Sequence, residues 1–463
     1  MIQESQILPV ASGTMPRRTM FLGEPDVRKY FAFIVAIGFL MRLACFTGLI
    51  GSDDLVYSHF AQLIAQLHYH PYLHHAALRY GLIVPLGVVY RLFGIREWTT
   101  IIIPLLASTA SVPALMLIAQ KVLGSRVALL AGMLIATFPA ELHYATILVP
   151  EPLAELYVLV AILVYLYWGD ENPASAGFVC GLCMGVAYLT KEHALFIAPA
   201  LMIDTLARRR WRMFFAIATG LLMIVGAEHT YYVASTGDLM FRPHAMVVHN
   251  QSRDAVFSNQ HLWWRLFKAY PRMMLVPSWS FGLHSLFAIL LAIAAWFLLS
   301  PQNCRLLWLW ALLPLIYLNF GTSSLSYYWA LPPVDRYLLL VYPPLFMLAA
   351  GVVIQISSLR SRAAPVLGLA VSFVIASGLY CGFASRSHGW RTDAVKELRT
   401  IAENAEREQF QTVAFQGAVP EEWPEAMAIL DHDLKPSTDS KAADVTISRD
   451  ALGLPCVVSD RQP

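Results

Sequence analysis

The chain has 463 residues, of which 57% are hydrophobic and only 14% are charged. Soluble globular domains carry about 25% charged residues, so the composition excludes an ordinary soluble protein. The long, uninterrupted apolar runs predict membrane-spanning helices, whereas a membrane barrel would alternate with a period of two. The net charge of +2 comes without a basic run, which gives no indication of a nucleic-acid partner.

The first apolar run covers residues 30–50 and follows the basic pairs Arg17-Arg18 and Arg28-Lys29. No small-residue cleavage site follows it, so the pattern favours a retained first span over a removable signal. Because positive charge marks the cytoplasmic side, we expect residues 1–29 to form a cytoplasmic segment.

Clusters of Lys and Arg at 17–29, 121–126, 208–212 and 360–362 should all be cytoplasmic. They all fall on that side only if residues 79–94 lie in the interface, and this stretch of about 16 residues is short for a span of about 20. The topology then has 11 spans, at 30–50, 98–120, 127–145, 152–168, 174–190, 193–207, 213–230, 279–300, 305–321, 337–357 and 364–383.

This topology predicts an all-α polytopic transmembrane domain over 30–383, in a bacterial inner or cell membrane. The first outer loop, 51–97, should carry juxtamembrane helices. The outer segment 231–278 is a candidate lid or an interfacial anchor, because 261–270 mixes aromatic and basic residues. The hydrophilic tail, 384–463, should be extracytoplasmic and is a candidate for a small α/β domain.

Asp53 and Asp54 stand directly after the first apolar run. Charges buried in a membrane are costly, so acids at the mouth of a span are either solvated or kept for chemistry. Asp54 could simply cap the following helix. In a helix Asp53 and Tyr57 share a face, being four residues apart.

Histidines follow in the same loop at His68, His70, His74 and His75. This spacing, together with the two acids, could bind a divalent metal. The alternative is that histidines and tyrosines are simply stable at a lipid–water interface. The prediction is therefore a site without a metal or cofactor, with a divalent metal as an unsupported alternative.

Further charges occur on the same predicted side of the membrane. Arg79 opens the interfacial stretch, and Lys191-Glu192 separates two apolar runs with almost no loop, where charged residues usually face a cavity. Arg336 precedes a later span, and Glu151 follows a proline-flanked loop. Carboxylates suit deprotonation of a hydroxyl and cations suit a phosphate leaving group, which favours a reaction on lipid-borne substrates.

Each of these residues also has a structural interpretation. Arg79 could anchor to lipid phosphates, Lys191 could pair with Glu192, and Asp335 could neutralise Arg336. Glu151 could cap the next helix, and another acid, Glu141, lies in the proline-flanked loop before it.

These motifs together resemble the GT-C glycosyltransferases. The group most similar to this chain holds protein O-mannosyltransferases and the bacterial enzymes that attach aminoarabinose or galacturonate to lipopolysaccharide. The resemblance covers about 30–345 and rests on short motifs in a consistent order. They are Asp53-Asp54-Leu-Val-Tyr57, Arg79 with Pro85 and Leu92-Phe-Gly94, Ala136-Thr-Phe-Pro139 before Glu151, Lys191, and Arg336-Tyr337 before Pro343-Pro344.

The resemblance implies a GT-C-type bundle that transfers a sugar, with inversion, from a polyprenyl-phosphate carrier to an acceptor hydroxyl on a lipid, glycan or protein. It implies that Asp53 is the general base and that Asp54 orients the acceptor or sugar. Arg79, Lys191 and Arg336 would hold the carrier phosphate. The remaining implied substrate-binding residues are Tyr57, Glu151, Glu192 and Tyr337. Two other classes of function stay open, namely a transporter or flippase of a lipid-linked saccharide and a non-catalytic envelope-assembly partner.

Overall fold

The structure is a computed structural model. It describes residues 25–251, 262–323, 328–387, 392–416, 419–420, 422–431, 433–437, 443–449 and 454–460. The predicted cytoplasmic segment before residue 25 and residue 261 of the predicted anchor lie outside the described residues.

The first part of the chain is helical. In chain order it contains α1 (Pro25–Ala44), α2 (Asp53–Ala65), α3 (Tyr80–Phe93), α4 (Glu97–Leu123), α5 (Ser125–Ala136), α6 (Pro139–Tyr144), α7 (Glu151–Trp168), α8 (Pro173–Thr190), α9 (Ala198–Ala207), α10 (Trp211–Thr236), α11 (Phe241–Gln251), α12 (Leu262–Phe267), α13 (Tyr270–Leu275), α14 (His284–Leu298), α15 (Pro301–Phe320), α16 (Tyr342–Leu359) and α17 (Ala364–Ser387). Short 3-10 helices lie between them at His75–Leu78, Glu192–Ile197, Asp335–Leu340 and Ser361–Ala363.

Seven helical segments among the described residues are long and apolar enough to cross a membrane. They are Glu97–Leu123, Glu151–Trp168, Pro173–Thr190, Trp211–Thr236, Pro301–Phe320, Tyr342–Leu359 and Ser361–Ser385. Each of the 11 expected spans overlaps helical residues, although three of them, 127–145, 193–207 and 337–357, are not single α-helices. The helical membrane fold is therefore confirmed, and the count of 11 stays a prediction.

Two segment boundaries bear on the site. Helix α3 has 14 residues, and at 1.5 Å per residue it is about 21 Å long, shorter than a hydrocarbon core of about 30 Å. This length fits the interfacial interpretation of residues 79–94. Helix α10 continues to Thr236, so the outer segment that was expected to start at 231 starts several residues later.

Packed helices build the core, with α10 on α8, α8 on α7 and α7 on α4. Trp310 of α15 is fully buried, and its indole N–H donates to the Leu340 carbonyl at 3.0 Å. A buried indole keeps its packing area only if its polar N–H finds an acceptor. This bond ties α15 to the turn that carries Arg336.

The C-terminal region is a small α/β unit. It contains α18 (Asp393–Arg407), β1 (Thr412–Phe415), α19 (Glu422–Leu430), β2 (Lys435–Pro436), β3 (Val445–Arg449) and β4 (Pro455–Asp460). The strand order is β2-β1-β3-β4, in which β1 runs parallel to β2 and β3, and β4 runs antiparallel to β3. The α/β alternative for this region is the one that the structure shows.

Candidate active site

Asp53 begins α2 and meets a cation from the distant end of the chain. Arg336 donates from Nη2 to Asp53 Oδ2 at 2.5 Å, although the two residues are 283 positions apart. Both side chains are partly exposed, at 16% for Arg336 and 22% for Asp53. Negative charge is also favoured in the first turn of a helix, where the backbone N–H groups are unpaired. The Asp53 carboxylate is thus partly accessible to solvent.

Glu151 and Lys191 form the buried base of the site. Lys191 Nζ lies 3.0 Å from Glu151 Oε1, and Arg336 Nε lies 3.3 Å from the same oxygen. Glu151 is fully buried at the start of α7. Burial acts to lower the pKa of Lys191, but Glu151 outweighs it and raises that pKa above its usual value. One carboxylate therefore keeps two cations charged and oriented.

A second acid, Glu192, joins two arginines. Arg79, at the entrance to α3, forms an ion pair with Glu192, and Arg242 Nη1 lies 2.8 Å from Glu192 Oε1. Burial acts to raise the pKa of Glu192, but Arg79 and Arg242 lower it to about 2. Glu192 is thus a fixed anion between two fixed cations. The pairing of Glu192 with Lys191, which the sequence left open, is replaced by these two contacts.

Arg242 was missed by the sequence analysis. It lies on α11, is 5% exposed, and contacts Glu228 of α10 at 2.5 Å as well as Glu192. Its Nη2 also donates to the Leu78 carbonyl at 2.8 Å. The sequence signal that could have identified Arg242 is Glu228, because an acid inside an apolar run needs a cationic partner.

Two tyrosines line the space between these charges. The Tyr57 ring is fully buried, and its hydroxyl oxygen has no hydrogen-bond partner among the residues that the structure describes. Burial raises the Tyr57 pKa, and the charge of Lys191 is the strongest influence that acts to lower it. Lys191 Nζ also lies 4.6 Å from the centre of the Tyr337 ring. Both rings therefore restrict the lysine that faces Glu151.

Asp54 points away from this group. Its carboxylate accepts backbone N–H groups of the preceding loop at 2.7 Å from Ile50, 3.2 Å from Gly51 and 2.6 Å from Ser52. Burial raises the Asp54 pKa, opposed by these same hydrogen bonds. The Asp54 carboxylate therefore holds the loop before α2, and no side-chain hydrogen bond caps the first turn of that helix among the described residues. Its role toward the acceptor or sugar stays a prediction.

Asp335 and Glu141 also have structural partners. Asp335 accepts from the Tyr144 hydroxyl at 2.8 Å and the Ser280 hydroxyl at 2.5 Å, which fixes the turn that carries Arg336. Glu141 lies 3.4 Å from Arg42 Nη2. These contacts leave Arg336 to Asp53 and Glu151, and they place Glu141 outside the site.

The loop histidines do not form a metal centre in the described part of the chain, where no group of three or more His, Cys, Asp or Glu side chains is placed to hold an ion. The His75 ring instead packs against the His249 ring of α11, with ring centres 3.7 Å apart and a tilt of 33°. The histidines therefore join the first outer loop to the second.

An open groove of about 460 Å³ lies beside the arginines. Its walls are mostly apolar and aromatic, and they include Ile64, Tyr80, Leu189 and Tyr231. Glu228, which binds Arg242, is also part of its lining. The groove thus brings an apolar surface up to the charged site.

All predicted site residues except Asp54 therefore belong to one arrangement. Ion pairs link Asp53 to Arg336, Arg336 to Glu151, and Glu151 to Lys191. Tyr337 lies beside Lys191. Glu192, the residue after Lys191, forms an ion pair with Arg79. Tyr57 lies where the charges of Lys191, Asp53, Arg79 and Arg336 all act on its hydroxyl. The roles of these residues stay predictions.

Residues 85–232 match the family of dolichyl-phosphate-mannose-protein mannosyltransferases. The matched range includes Glu151, Lys191 and Glu192, and it ends before Arg336. No curated protein sequence matches the chain.

The structure is similar to solved membrane-enzyme structures. Against ArnT from Cupriavidus metallidurans in the apo state the TM-score is 0.62 at 14% identity, covering 91% of this chain and 93% of that one. Against ArnT bound to undecaprenyl phosphate it is 0.60 at 16% identity, covering 92% and 93%. Against the apo oligosaccharyltransferase of Archaeoglobus fulgidus it is 0.56 at 13% identity, covering 92% of this chain and 66% of that one.

The fold is that of a polytopic membrane protein and is similar to the folds of these solved structures. The chain is assigned to the GT-C superfamily, on the family match together with the fold. The family expectation from the short motifs is therefore confirmed at the level of the superfamily.

Proposed function

We propose that this protein transfers a sugar from a polyprenyl-phosphate carrier to an acceptor hydroxyl on the extracytoplasmic side of the membrane, with inversion. The observation that carries the proposal is the meeting of Asp53 with Arg336, Glu151 and Lys191 at the outer ends of separate elements. A carboxylate able to accept a proton thus lies beside cations able to hold a phosphate. The acceptor belongs to a lipid, a glycan or a protein.

The reaction needs one proton acceptor and one stabilised leaving group. The acceptor oxygen bonds to the anomeric carbon as the bond from that carbon to the phosphate oxygen breaks. The electron pair of the broken bond leaves with the carrier phosphate, and the hydroxyl proton passes to the Asp53 carboxylate. Attack on the face opposite the phosphate inverts the anomeric configuration. A phosphate that is neutralised by cations leaves without a general acid.

The cations are already oriented before substrate binds. Lys191 and Arg336 share Glu151, and Arg79 pairs with Glu192. In the proposed complex the carrier phosphate competes with Asp53 for Arg336, which frees a carboxylate oxygen to accept the proton. Preorganised charges of this kind need no reorganisation during the reaction.

The apolar groove supports a lipid-linked donor. It runs beside Tyr80 and reaches Glu228, the partner of Arg242, so an apolar chain in the groove would bring its phosphate toward the arginines. ArnT has been solved with undecaprenyl phosphate, and the archaeal oligosaccharyltransferase AglB with a dolichol-phosphate. A polyprenyl phosphate is accordingly the carrier proposed for this chain.

The distribution of basic residues supports the side of the membrane that we propose for the site. Arginines lie at one set of helix ends: Arg126 at the turn α4–α5, Arg208–Arg212 at the turn α9–α10 and Arg360 after α16. Asp53 and Glu151 lie at the opposite helix ends. Basic short loops face the cytoplasm. This distribution supports the proposal that the site faces the extracytoplasmic side.

The test uses purified protein in phospholipid vesicles with undecaprenyl-phosphate-linked hexose, pentose, aminopentose and uronic acid donors, and with lipid, glycan and peptide acceptors. Release of undecaprenyl phosphate and formation of the glycosylated acceptor are measured by mass spectrometry. We expect Asp53→Asn to lower turnover by about 10²–10⁴-fold, the usual loss for a general base.

Glu171→Gln is the control, because Glu171 is an exposed acid that follows the last turn of α7, at the end of that helix away from the site. Wild-type turnover in a correctly folded Asp53→Asn protein would reject the assignment of the base. A flippase would instead move the lipid-linked sugar between leaflets without releasing the carrier phosphate. An assembly partner would do neither.

A further inference from the structure

The first outer loop and the C-terminal domain share one hydrophobic core. Leu49 and Leu55, which flank the start of α2, are 2% and 3% exposed and pack in the same cluster as Val395 and Leu398 of α18. The two leucines lie within four residues of Asp53. The chain segment that presents Asp53 is therefore buried against the C-terminal domain rather than against the transmembrane bundle alone.

Backbone contacts bring the two parts closer still. The Thr392 N–H donates to the Ile50 carbonyl at 2.9 Å. Gly51 has φ of +80° and lies so close to α18 that an added Cβ would come within 2.4 Å of Val395 Cγ2. Only glycine accepts both that backbone conformation and that approach without strain. The backbone two residues before Asp53 thus rests directly on α18.

Glu97, the first residue of α4, joins the two parts electrostatically. Arg399 Nη1 lies 3.0 Å from Glu97 Oε2, and Glu97 Oε1 accepts the Leu49 N–H at 3.0 Å. The side chains of Arg399 and Glu97 are 23% and 19% exposed. Arg399 therefore contacts the carboxylate that holds the loop entering α2, and it lies on a domain outside the membrane bundle.

A second contact lies farther along α2. The His59 ring and the Glu425 carboxylate form a hydrogen bond between α2 and α19. The domain therefore contacts α2 beyond its first turn as well as the loop before it. On the opposite side, Asp53 itself is bonded to Arg336 of the membrane domain.

We propose that the C-terminal domain positions Asp53 for catalysis by holding residues 48–52 through α18, with Arg399 as the positioning residue. This inference rests on the proposed role of Asp53. The C-terminal domain contacts the backbone before Asp53, and Arg336 contacts the Asp53 carboxylate from the membrane domain. We call these two sets of contacts the clamp. A misplacement of about 1 Å at a reacting group can cost about 10²-fold in rate, so a contact of this kind has a measurable effect on turnover.

The alternative is that the domain only covers an apolar surface or only receives the acceptor. In that case a substitution at Arg399 would leave the loop at 48–58 unchanged, or it would alter the KM for the acceptor and leave kcat intact. Positioning of the base instead lowers kcat and leaves donor binding unchanged, because the donor phosphate is held by other residues.

The experiment compares Arg399→Ala, Arg399→Lys and Arg407→Ala in the full-length protein. Arg407 is exposed on the same helix and is the matched control. Hydrogen exchange of residues 48–58 reports on the clamp, and turnover with the undecaprenyl-phosphate-linked donors reports on the base. We expect Arg399→Ala to speed exchange in 48–58 and to lower kcat about tenfold, with donor KM within about twofold. Arg399→Lys should restore part of both, and Arg407→Ala should match wild type.

Unchanged exchange in 48–58 for Arg399→Ala overturns the proposal, and so does faster exchange with an unchanged kcat. A wild-type protein that transfers no sugar from any donor rejects the proposed function instead. The exchange measurement then still decides whether α18 holds the loop, because it does not depend on turnover.

Discussion

Adjacent acids take different environments when they begin a helix. Successive residues are separated by about 100° around the helix axis, so the Asp53 and Asp54 side chains leave α2 in different directions. Asp53 meets Arg336, and Asp54 meets the backbone N–H groups of Ile50, Gly51 and Ser52. One acid is available for chemistry because the other fixes the loop before it.

At the residue scale, we expect Asp54→Asn to destabilise the protein and Asp53→Asn to leave its stability close to wild type. An asparagine has one acceptor oxygen, so its amide would leave at least one backbone N–H of the loop unpaired, at a cost of about 1–3 kcal/mol. Thermal unfolding in detergent measures the difference. Equal unfolding temperatures for Asp54→Asn and wild type would show that Asp54 does not hold the loop.

At the scale of secondary-structure elements, α11 is attached to α10 by one buried ion pair. Arg242 and Glu228 are 5% exposed each, and the arginine also reaches Glu192 beside Arg79. Breaking a buried pair by removing one partner is far more costly than removing both charges. The second outer segment therefore depends on this pair for its attachment to the site.

We expect Arg242→Gln to destabilise the protein by about 3–5 kcal/mol, because Glu228 loses its buried cationic partner. The double variant Arg242→Gln with Glu228→Gln should recover most of the loss, since Glu192 keeps Arg79. Unfolding temperature and hydrogen exchange in 241–249 measure the effect. A double variant as unstable as the single one would show that the loss does not arise from the unpaired acid.

The contact between His75 and His249 makes this same attachment sensitive to acid. Burial lowers the His75 pKa, and the nearby His249 and Arg79 lower it further. A histidine whose pKa is lower in the folded state stabilises the fold above its unfolded pKa of about 6.5, and this contribution is lost as the pH falls below that value. Acid should therefore loosen α11 from the first outer loop.

The prediction is faster hydrogen exchange in 241–249 at pH 5.5 than at pH 7.5, and a smaller difference between the two pH values in His75→Gln. His68→Gln serves as the control because His68 is exposed in the same loop. The same pH dependence in wild type and in His75→Gln would assign the effect to other groups.

At the scale of the whole molecule, charge separates the two ends of the helical bundle. The acids and cations of the site occupy one end, and the arginine-rich turns at 208–212 and 360–362 occupy the other. An insertion bias toward cytoplasmic Lys and Arg converts this separation into an orientation in the membrane. This orientation is the one that we propose for the site, which would then face the extracytoplasmic side.

This orientation predicts the reactivity of single cysteines placed in a cysteine-free variant. In intact bacterial cells, a membrane-impermeant maleimide should label His70→Cys, whereas Ser361→Cys should react only after permeabilisation. Both residues are exposed in the structure, so accessibility within the fold does not limit either reaction. The opposite labelling pattern would place the site on the cytoplasmic side.

Sequence patterns identified most of the residues of the candidate site, since charges beside apolar runs are rare and each one needs a physical reason. Lys191-Glu192 and Arg336 were found in this way. Arg242 was not, because it lies in a polar segment where an arginine needs no explanation. The sequence also could not predict which charged residues form ion pairs. Glu192 pairs with Arg79 and Arg242 rather than with Lys191.

The sequence by itself determined the helical membrane fold, the short helix α3, the predicted sidedness and most of the charged site. These follow from hydropathy, segment length and loop charge, which are local along the chain. Only the tertiary structure decided which cation meets which carboxylate, that Asp54 faces its own loop, and that α18 supports the backbone before Asp53. Most of those outcomes depend on contacts between residues far apart in the chain, such as Asp53 and Arg336 at 283 positions, and a contact of that kind leaves no local pattern. The contacts of Asp54 are local, but they depend on the direction in which its side chain leaves α2.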